Sequence, residues 1–369
     1  MTHRIHCIVG ARPNFVKIAP IMRALATQPG MSARLIHTGQ HYDAEMSRHF
    51  FEDLAIPDPD RYLGVGAGSH AVQTARIMEL YEEVLDDERP ELVLVVGDVN
   101  STLACSLVAV KAGTQVAHVE AGLRSFDRTM PEEINRLLTD QIADLLLTSC
   151  RNADENLLRE GIAAEKIHFV GNVMIDTLRQ SLALAAGRAP LQQWGLEPAG
   201  YAVATIHRPA NVDAAPGLER VLAILSGLGE RLPVVMPVHP RTEKRIEALG
   251  QREQFAAVRR LRPTPPLRYL EFLDLMRQAR LVLTDSGGIQ EETSVLGVPC
   301  LTLRPNTERP ITITAGTNRL VGTDPAAVLA AADEVLATPL PTEAPQIEGW
   351  DGAAAGRIAA LLSTALGGS

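Results

Sequence analysis

The sequence predicts an α/β protein made of two Rossmann-like halves, each built on a mainly parallel sheet. Apolar runs such as LVLVV at 92–96 and LVLT at 281–284 are typical of strands that are buried on both faces. Helix-like stretches separate these runs, and this alternation favours parallel sheets. The chain has 369 residues, about twice the usual domain length, so two domains are expected.

The first half alternates strand-like and helix-like segments from residue 5 onward. Its apolar runs are short and rich in Leu or β-branched residues, and Ser101 or Thr102 could cap the helix that follows the third run. The predicted strands are 5–9, 33–37, 92–96, 115–119 and 145–148, and the predicted helices are 17–27, 69–85, 102–111 and 131–143.

The second half repeats the alternation after a Gly-, Pro- and Gln-rich stretch that suits a linker. The predicted strands are 201–206, 233–238, 281–284 and 299–303, and the predicted helices are 217–228, 240–249, 288–296 and 326–336. We therefore predict one domain over residues 1–172 and a second over 173–369, with the last helix a candidate to pack back on the first domain. The two halves are expected to face each other across a cleft.

Composition excludes several classes of function. A net charge of −9 argues against nucleic-acid binding, and an aromatic content of 4% gives no stacking platform for single strands. Neither a signal peptide nor a membrane span is visible, so a cytoplasmic location is expected. The four cysteines are widely spaced, and the glycine-rich loops match neither GxGxxG nor a P-loop. We therefore expect no metal and no nicotinamide or ATP cofactor.

Three acids follow or precede predicted elements in positions suited to chemistry. Asp98 and Glu120 come at the ends of two apolar runs, and ligand sites of parallel sheets lie at the carboxyl ends of the strands. Glu132 opens a predicted helix, where an acid is also an ordinary first-turn residue. Neighbouring carboxylates repel each other's charge, so that one can hold a proton while another accepts one. The pattern indicates proton transfer.

Two loops have the character of anion sites. Arg12 and Lys17 lie at the start of the first predicted helix, where backbone N–H groups and the helix dipole favour an anion. The segment Ser286-Gly287-Gly288 follows a buried strand in the second half, and Glu292 lies one turn later, where a carboxylate can accept from ribose hydroxyls. Two such loops suggest a diphosphate; a solvated cation pair and a plain tight turn remain the alternatives.

The histidines differ in context. His207 ends a predicted strand beside Arg208, so the two side chains could hold a pyrophosphate. His239, between two prolines, is equally well read as a packed turn residue, and His118 inside a strand reads as a satisfied interior histidine. No His pair has the helical spacing of a metal site.

Taken together, nine segments in this order resemble the non-hydrolysing UDP-N-acetylglucosamine 2-epimerases. The resemblance covers nearly the whole chain, and HVEAGLR with PEEINR is its most specific part. The segments are GARPNFVKIAP, TGQHYD, VVGDVNST, HVEAGLRSFDRTMPEEINR, VGNVMIDTL, IHRPANVD, PVHPRT, LTDSGGIQEE and TERP.

This resemblance implies a two-domain fold like that of the GT-B glycosyltransferases, a homodimer, a UDP-sugar substrate and no cofactor. It implies an isomerase that interconverts UDP-GlcNAc and UDP-ManNAc, by anti-elimination of UDP to a 2-acetamidoglucal and re-addition. Matched position by position, the proton-transfer acids are Asp98, Glu120 and Glu132, with His207 as a further catalytic residue. The matched substrate contacts are Arg12, Lys17, Phe272, Ser286, Gly287, Gly288, Glu292 and Arg309.

Departures from the family pattern keep alternatives open. The stretch Gln40-His41-Tyr42-Asp43 lacks an arginine that several relatives use in a second, activating UDP-GlcNAc site. GSHAVQT and SFDRTMPEEINR also resemble relatives that epimerise UDP-2,3-diacetamido-2,3-dideoxyglucuronate, whose carboxylate Arg124 or Arg128 could bind. A GT-B glycosyltransferase is a more distant alternative, because the fold suits both activities.

Overall fold

A computed structural model describes residues 2–40 and 51–367 of the chain. Contacts divide it into two compact units: Met1–Gln180 with Glu348–Ser369 form the first, and Ser181–Ile347 form the second. The predicted boundary between 172 and 173 falls at the start of a helix, Val173–Ala185, whereas the division after Gln180 falls inside that helix.

The first unit contains, among its described residues, a seven-stranded parallel sheet in the order β3-β2-β1-β4-β5-β6-β7. The apolar runs predicted to be buried strands form its centre, and every residue of β4 is buried. The strands are β1 (His3–Val9), β2 (Met31–His37), β3 (Arg61–Tyr62), β4 (Leu92–Val96), β5 (Gln115–Ala121), β6 (Leu145–Thr148) and β7 (Ile167–Phe169).

Helices cover both faces of this sheet. Right-handed crossovers place α1 on one face and α2 to α5 on the other, because the strand order reverses between β3 and β4. The helices are α1 (Arg12–Ala26), α2 (His70–Glu88), α3 (Asn100–Lys111), α4 (Pro131–Ile142), α5 (Arg151–Arg159) and α6 (Val173–Ala185). A last helix, Ala354–Gly367, packs against α1 and so belongs to the first unit.

The second unit contains a six-stranded parallel sheet in the order β10-β9-β8-β11-β12-β13, counted over its described residues. The strands are β8 (Ala202–Thr205), β9 (Val234–Pro237), β10 (Leu261–Thr264), β11 (Leu281–Thr284), β12 (Cys300–Thr302) and β13 (Asn318–Leu320). The helices are α7 (Pro209–Val212), α8 (Ala215–Arg231), α9 (Pro240–Ala248), α10 (Arg252–Ala256), α11 (Tyr269–Arg277), α12 (Gly287–Leu296), α13 (Ile311–Thr314) and α14 (Pro325–Ala337); the closing helix Ala354–Gly367 is α15.

The two parallel sheets confirm the predicted α/β class. The described elements missed from sequence are the four edge strands, β3, β7, β10 and β13, and five helices, α5, α7, α10, α11 and α13. β3, β10 and β13 are short, and their exposed or polar residues gave no apolar run to detect. Across the described part of the chain, no helix combines the length and apolar character that crossing a membrane requires.

Candidate active site

Adjacent strands place the predicted acids of the first unit at one edge of its sheet. β4 pairs with β5 in parallel, and β1 pairs with β4, so the carboxyl ends of all three strands meet there. Asp98 follows β4, Glu120 lies at the end of β5, and α1 begins just after β1. The sheet register therefore brings Lys17, in α1, together with Glu120, although the two residues are more than a hundred positions apart in the chain.

Glu120 is held by an ion pair and by an unusual backbone conformation. Its carboxylate bonds the Nζ of Lys17, and both side chains are largely buried. The residue has φ of 70°, where non-glycine residues are uncommon, and the β5–β6 register shifts at this position. The bulge turns the Glu120 side chain toward Lys17, which neutralises the buried carboxylate.

Asp98 is held by an arginine that sequence reasoning did not single out. Arg136 on α4 forms an ion pair with Asp98, and Asn135 donates to the Asp98 carbonyl at 2.9 Å. Arg136 is itself bonded by Glu133. The Asp98 side chain is 28% exposed and that of Arg136 is 3% exposed, so the acid lies on the solvent side of the pair.

The two glutamates at the start of α4 have different environments. Glu132 is exposed, whereas Glu133 is buried and accepts from the backbone N–H groups of Ser125 and Phe126. Burial would raise the pKa of Glu133, but these bonds and Arg136 outweigh it and lower the pKa. Glu133 is therefore a fixed anion that orients Arg136. Glu132, in contrast, is exposed to solvent.

The start of α1 differs from a bare anion site. The N–H groups of Gly10 and Ala11 donate to Oδ1 of Asn14 at 3.0 and 3.1 Å, so that side chain occupies amides that an anion would need. Lys17 is paired with Glu120 rather than directed to solvent. The side chain of Arg12 lies outside the described part of the structure, as do His41, Tyr42 and Asp43 of the stretch compared with the activating site.

In the second unit, the ends of β8 and β11 are joined by a buried acid. Asp285 accepts from the backbone N–H groups of His207 and Arg208 and from the side chain of Asn211. The His207 Nδ1 lies 3.1 Å from Asp285, and its ring stacks on His239 with centroids 5.1 Å apart. Burial opposes ionisation of Asp285, but His207, Asn211 and the Arg208 N–H lower its pKa overall.

His239 caps α9, because its Nδ1 accepts from the N–H of Arg241 at 3.1 Å. This is the packed-turn role weighed for it from sequence. His118 is fully buried and bonds Asp140 and the carbonyl of Gly97, which confirms its interpretation as a satisfied interior histidine.

The glycine loop of the second unit starts α12, as predicted. Ser286 is the N-cap of the helix, and its side chain makes no capping bond. A Cβ added at Gly287 would lie 2.6 Å from Nη1 of Arg309 and 2.8 Å from Oε1 of Glu308. A side chain at this position would displace the ion pair, so the loop backbone and the TERP segment are in direct contact.

The TERP segment forms a buried charge cluster. Glu308 pairs with Arg304 and Arg309 at 2.6 Å, and Arg309 also pairs with Glu291 at 2.8 Å. Burial would raise the pKa of Glu308, but the neighbouring guanidinium groups hold it well below its ordinary value. The cluster fixes Arg309 beside the loop. Arg304 and Glu308 were not predicted, although the TERP motif contains the second of them.

Glu292 is buried, with 5% of its surface exposed. The hydroxyl of Tyr269 on α11 donates to its Oε1 at 3.2 Å. Burial and the adjacent Glu291 raise the pKa of Glu292 to about 7, against the opposing effect of the Tyr269 bond. Phe272 lies one turn after Tyr269 and is half-buried.

Arg124 cannot bind a substrate carboxylate as sequence reasoning suggested. It is 2% exposed and pairs with Asp140 at 2.7 Å and with Glu160 at 2.6 Å. Asp140 is fully buried and the Glu160 side chain is 24% exposed, and with both carboxylates bound the guanidinium is already satisfied. Arg128 is exposed and remains a candidate. Within the described ranges, no group of three or more His, Cys, Asp or Glu side chains could hold a metal ion.

The first unit carries carboxylates at its strand ends, and the second carries a glycine loop beside a fixed arginine. Each feature suits an enzyme that acts on a nucleotide sugar. The comparisons agree: the family model for UDP-N-acetylglucosamine 2-epimerase matches residues 23–363. The chain belongs to this family.

Individual relatives support the assignment. A UDP-N-acetylglucosamine 2-epimerase of Methanococcus maripaludis is 41% identical over 90% of this chain and 92% of its own length. A UDP-2,3-diacetamido-2,3-dideoxy-D-glucuronate 2-epimerase of Pseudomonas aeruginosa is 43% identical over 86% of this chain and 88% of its own. The crystal structure of the Methanocaldococcus jannaschii UDP-GlcNAc 2-epimerase in complex with UDP-GlcNAc and UDP has a TM-score of 0.89, with 40% identity, over 98% of this chain and 99% of that one.

Proposed function

We propose that this chain interconverts UDP-GlcNAc and UDP-ManNAc without hydrolysing them and without a redox cofactor. The observation that carries the proposal is the pair of carboxylates, Asp98 and Glu120, on adjacent strand ends, each opposite its own buried cation. The hydrogen at C2 of the sugar has no neighbouring carbonyl, so it becomes removable mainly as the anomeric C–O bond breaks. A site for this reaction needs carboxylates to move the proton and cations to stabilise the leaving diphosphate.

The proton steps fall to the first unit. One carboxylate takes the C2 proton while the C1–O bond breaks, giving a 2-acetamidoglucal and UDP; UDP then adds back to C1, and an acid delivers a proton to the other face of C2. Asp98, Glu120 and Glu132 are the proposed acids. Lys17 and Arg136 keep Glu120 and Asp98 in place between the two steps.

The nucleotide steps fall to the second unit. We assign the diphosphate to the backbone of Ser286, Gly287 and Gly288 at the start of α12, where N–H groups and the helix dipole favour an anion. Arg309, fixed beside that loop, and His207 supply charge and hydrogen bonds. Glu292 accepts from the ribose, and Phe272 and Arg12 are the further contacts proposed for the uracil and the phosphate.

The elimination route can be tested directly. Purified protein incubated with UDP-GlcNAc in heavy water, with no added nicotinamide, should form UDP-ManNAc carrying deuterium at C2, which NMR detects. Asp98→Asn and Glu120→Gln should each lose turnover while still binding UDP. Epimer formed without deuterium would refute elimination, and full activity in either amide variant would refute that residue's role.

A second substrate is favoured by the Pseudomonas aeruginosa relative, which is named for the 2,3-diacetamido uronic acid sugar. Such a substrate needs a cation for its carboxylate, and Arg128 is exposed in the loop after β5. We would measure kcat/KM for both nucleotide sugars on wild type and Arg128→Gln. If wild type prefers the uronate and Arg128→Gln loses this preference, the uronate would replace UDP-GlcNAc as the proposed substrate.

The protein is also proposed to be a cytoplasmic homodimer. Its four described cysteines are buried and free, as is usual in a reducing compartment. Ile134, Leu137 and Leu138 of α4 line a surface cavity of about 340 Å³ together with the polar side chains of Arg128, Gln141 and Glu160, and Leu138 is 48% exposed. A second copy covering this apolar face would remove it from water. Leu138→Glu should yield monomers in sedimentation experiments; an unchanged assembly would place the interface elsewhere.

A further inference from the structure

A buried carboxylate that the proposed reaction does not use lies beneath the two acid-bearing loops. Asp140, on α4, has no exposed surface. Its Oδ1 lies 2.6 Å from the Nδ1 of His118, and its Oδ2 accepts from the N–H of Gly122 at 3.0 Å and pairs with Arg124 at 2.7 Å. All three partners are in β5 or in the loop that follows it.

His118 carries this contact across to the neighbouring strand. Its Nε2 lies 2.8 Å from the carbonyl oxygen of Gly97. A carbonyl oxygen only accepts, so Nε2 bears a hydrogen and donates it. The N–H of Gly97 donates to Val119 at 3.0 Å, so both polar groups of this residue are fixed to β5. Asp98 is the next residue in the chain.

Gly122 is the corresponding anchor on the other loop. It follows Glu120 and Ala121, and while its N–H is bonded to Asp140, its carbonyl accepts from Asn156 at 2.9 Å. A Cβ at this position would lie 2.5 Å from the carbonyl oxygen of Ala153, so the backbone is closely packed on α5. One carboxylate therefore sets the position of the loop after β5 directly and that of the loop after β4 through an imidazole.

Two further observations indicate that the Asp140 carboxylate holds the acid-bearing loops in position. Burial would raise the pKa of Asp140, but His118 and Arg124 outweigh burial and lower it, so the group is a carboxylate. Arg124 is balanced in turn by Glu160, with bonds of 2.8 and 2.6 Å. Since its partners His118, Gly122 and Arg124 are all buried, Asp140 is placed to act through the backbone rather than on a substrate.

We propose that Asp140 is the positioning residue that sets Asp98 and Glu120 relative to each other, through Gly122 on one side and through His118 and Gly97 on the other. This inference rests on the proposed function, since it assigns proton transfer to Asp98 and Glu120. It adds a residue outside the reacting groups on which their geometry depends.

The chemistry of the contacts predicts which substitutions are tolerated. In Asp140→Asn, the amide oxygen can still accept from Gly122 and Arg124, and the amide nitrogen can donate to Nδ1 of His118. The ring then keeps its Nε2 hydrogen toward Gly97, and every contact survives. In Asp140→Ala, all of these contacts are lost. The hydrogen-bond frame, rather than the charge, should therefore decide activity.

The matched control is Asp144, whose Oδ2 accepts from the N–H of Val116 at 2.9 Å. It is also a carboxylate bonded to a β5 amide, but at the amino end of the strand, away from both loops. Asp144→Ala removes a comparable contact without touching the acid-bearing end. It separates a loss of strand stability from a loss of position.

We would measure kcat and KM for UDP-GlcNAc, together with UDP binding stoichiometry as a count of folded sites. Asp140→Ala should lower kcat by about 100-fold, because a displacement on the order of 1 Å costs that much, with the Kd for UDP nearly unchanged. Asp140→Asn should recover kcat to within about tenfold of wild type, and Asp144→Ala should leave it within about twofold. Folded Asp140→Ala with wild-type kcat, or folded Asp140→Asn as impaired as Asp140→Ala, would overturn the proposal.

Two further measurements test the inference if Asp140→Ala does not fold or if the proposed function is wrong. If Asp140→Ala does not fold, His118→Gln serves in its place, and unchanged kcat there would overturn the proposal. If wild type exchanges no C2 proton with solvent, the proposed function fails independently. Crystal structures then decide the positioning role: Gly97 and Gly122 should shift by more than about 0.5 Å in Asp140→Ala and not in Asp144→Ala. No shift would refute the inference.

Discussion

Removing one partner of the ion pair between Lys17 and Glu120 should destabilise the fold more than removing both. The Lys17 side chain is 6% exposed and that of Glu120 is 8% exposed, so neither charge is well solvated. Truncating one member of a buried pair leaves the other charge uncompensated, which costs about 3–5 kcal/mol. Removing both charges avoids that penalty, and replacement of a buried pair by apolar groups is often close to neutral.

We therefore expect Lys17→Met to lower the free energy of unfolding by about 3–5 kcal/mol. Met keeps much of the length of the lysine side chain, so the loss reports the charge rather than a cavity. Lys17→Met combined with Glu120→Gln should recover a large part of it, about 2–4 kcal/mol relative to the sum of the two single variants. The double variant should be inactive in the epimerase assay, because Glu120 is a proposed acid.

The assay is urea unfolding followed by circular dichroism on wild type, the two single variants and the double variant. The slope against urea should stay constant across the set, so that midpoints report stability. Single effects that add within about 0.5 kcal/mol would show that the two charges do not interact, and the reasoning would be wrong.

Two further predictions concern packing and pH. A Cβ at Gly10 would lie 2.6 Å from Oγ1 of Thr38 and 2.8 Å from Cβ of Ser101, so Gly10→Ala should cost about 1–3 kcal/mol in thermal unfolding. The control Gly356→Ala, in open space on α15, should instead stabilise by about 0.5–1 kcal/mol, and equal effects would contradict the packing argument. Because the pKa of Glu292 is raised to about 7, the folded chain holds a proton that the unfolded chain has released. The free energy of unfolding should fall as pH rises from about 4.3 to 7 and then level off, and Glu292→Gln should flatten this dependence in denaturant titrations at several pH values.

The central strands of both sheets could be predicted because their signal is local. Leu92–Val96 and Leu281–Thr284 have the predicted bounds, since burial on both faces requires an unbroken apolar run. Arg61–Tyr62 and Asn318–Leu320 pair only because a neighbouring strand offers its edge. Nothing in their own composition encodes that neighbour.

The site divides in the same way. Asp98 and Glu120 could be predicted because strand ends are visible in the sequence. Arg136 and Asp140 could not, because their contacts with the site depend on which side of α4 faces inward. A buried helix face is ordinarily apolar, yet α4 buries Glu133, Asn135, Arg136, Thr139 and Asp140 and leaves Leu138 exposed. Periodicity alone would orient this helix the opposite way.

The return of α15 to the first unit has a practical consequence for dissecting the protein. Residues 181–347 form an uninterrupted insertion, so they could be expressed as a single fragment. The first unit could not, because a chain stopped at Gln180 lacks α15 and exposes the α1 surface that α15 covers. A fusion that joins Gln180 to Glu348 through a short linker would restore that cover and supply the isolated acid-bearing half for study.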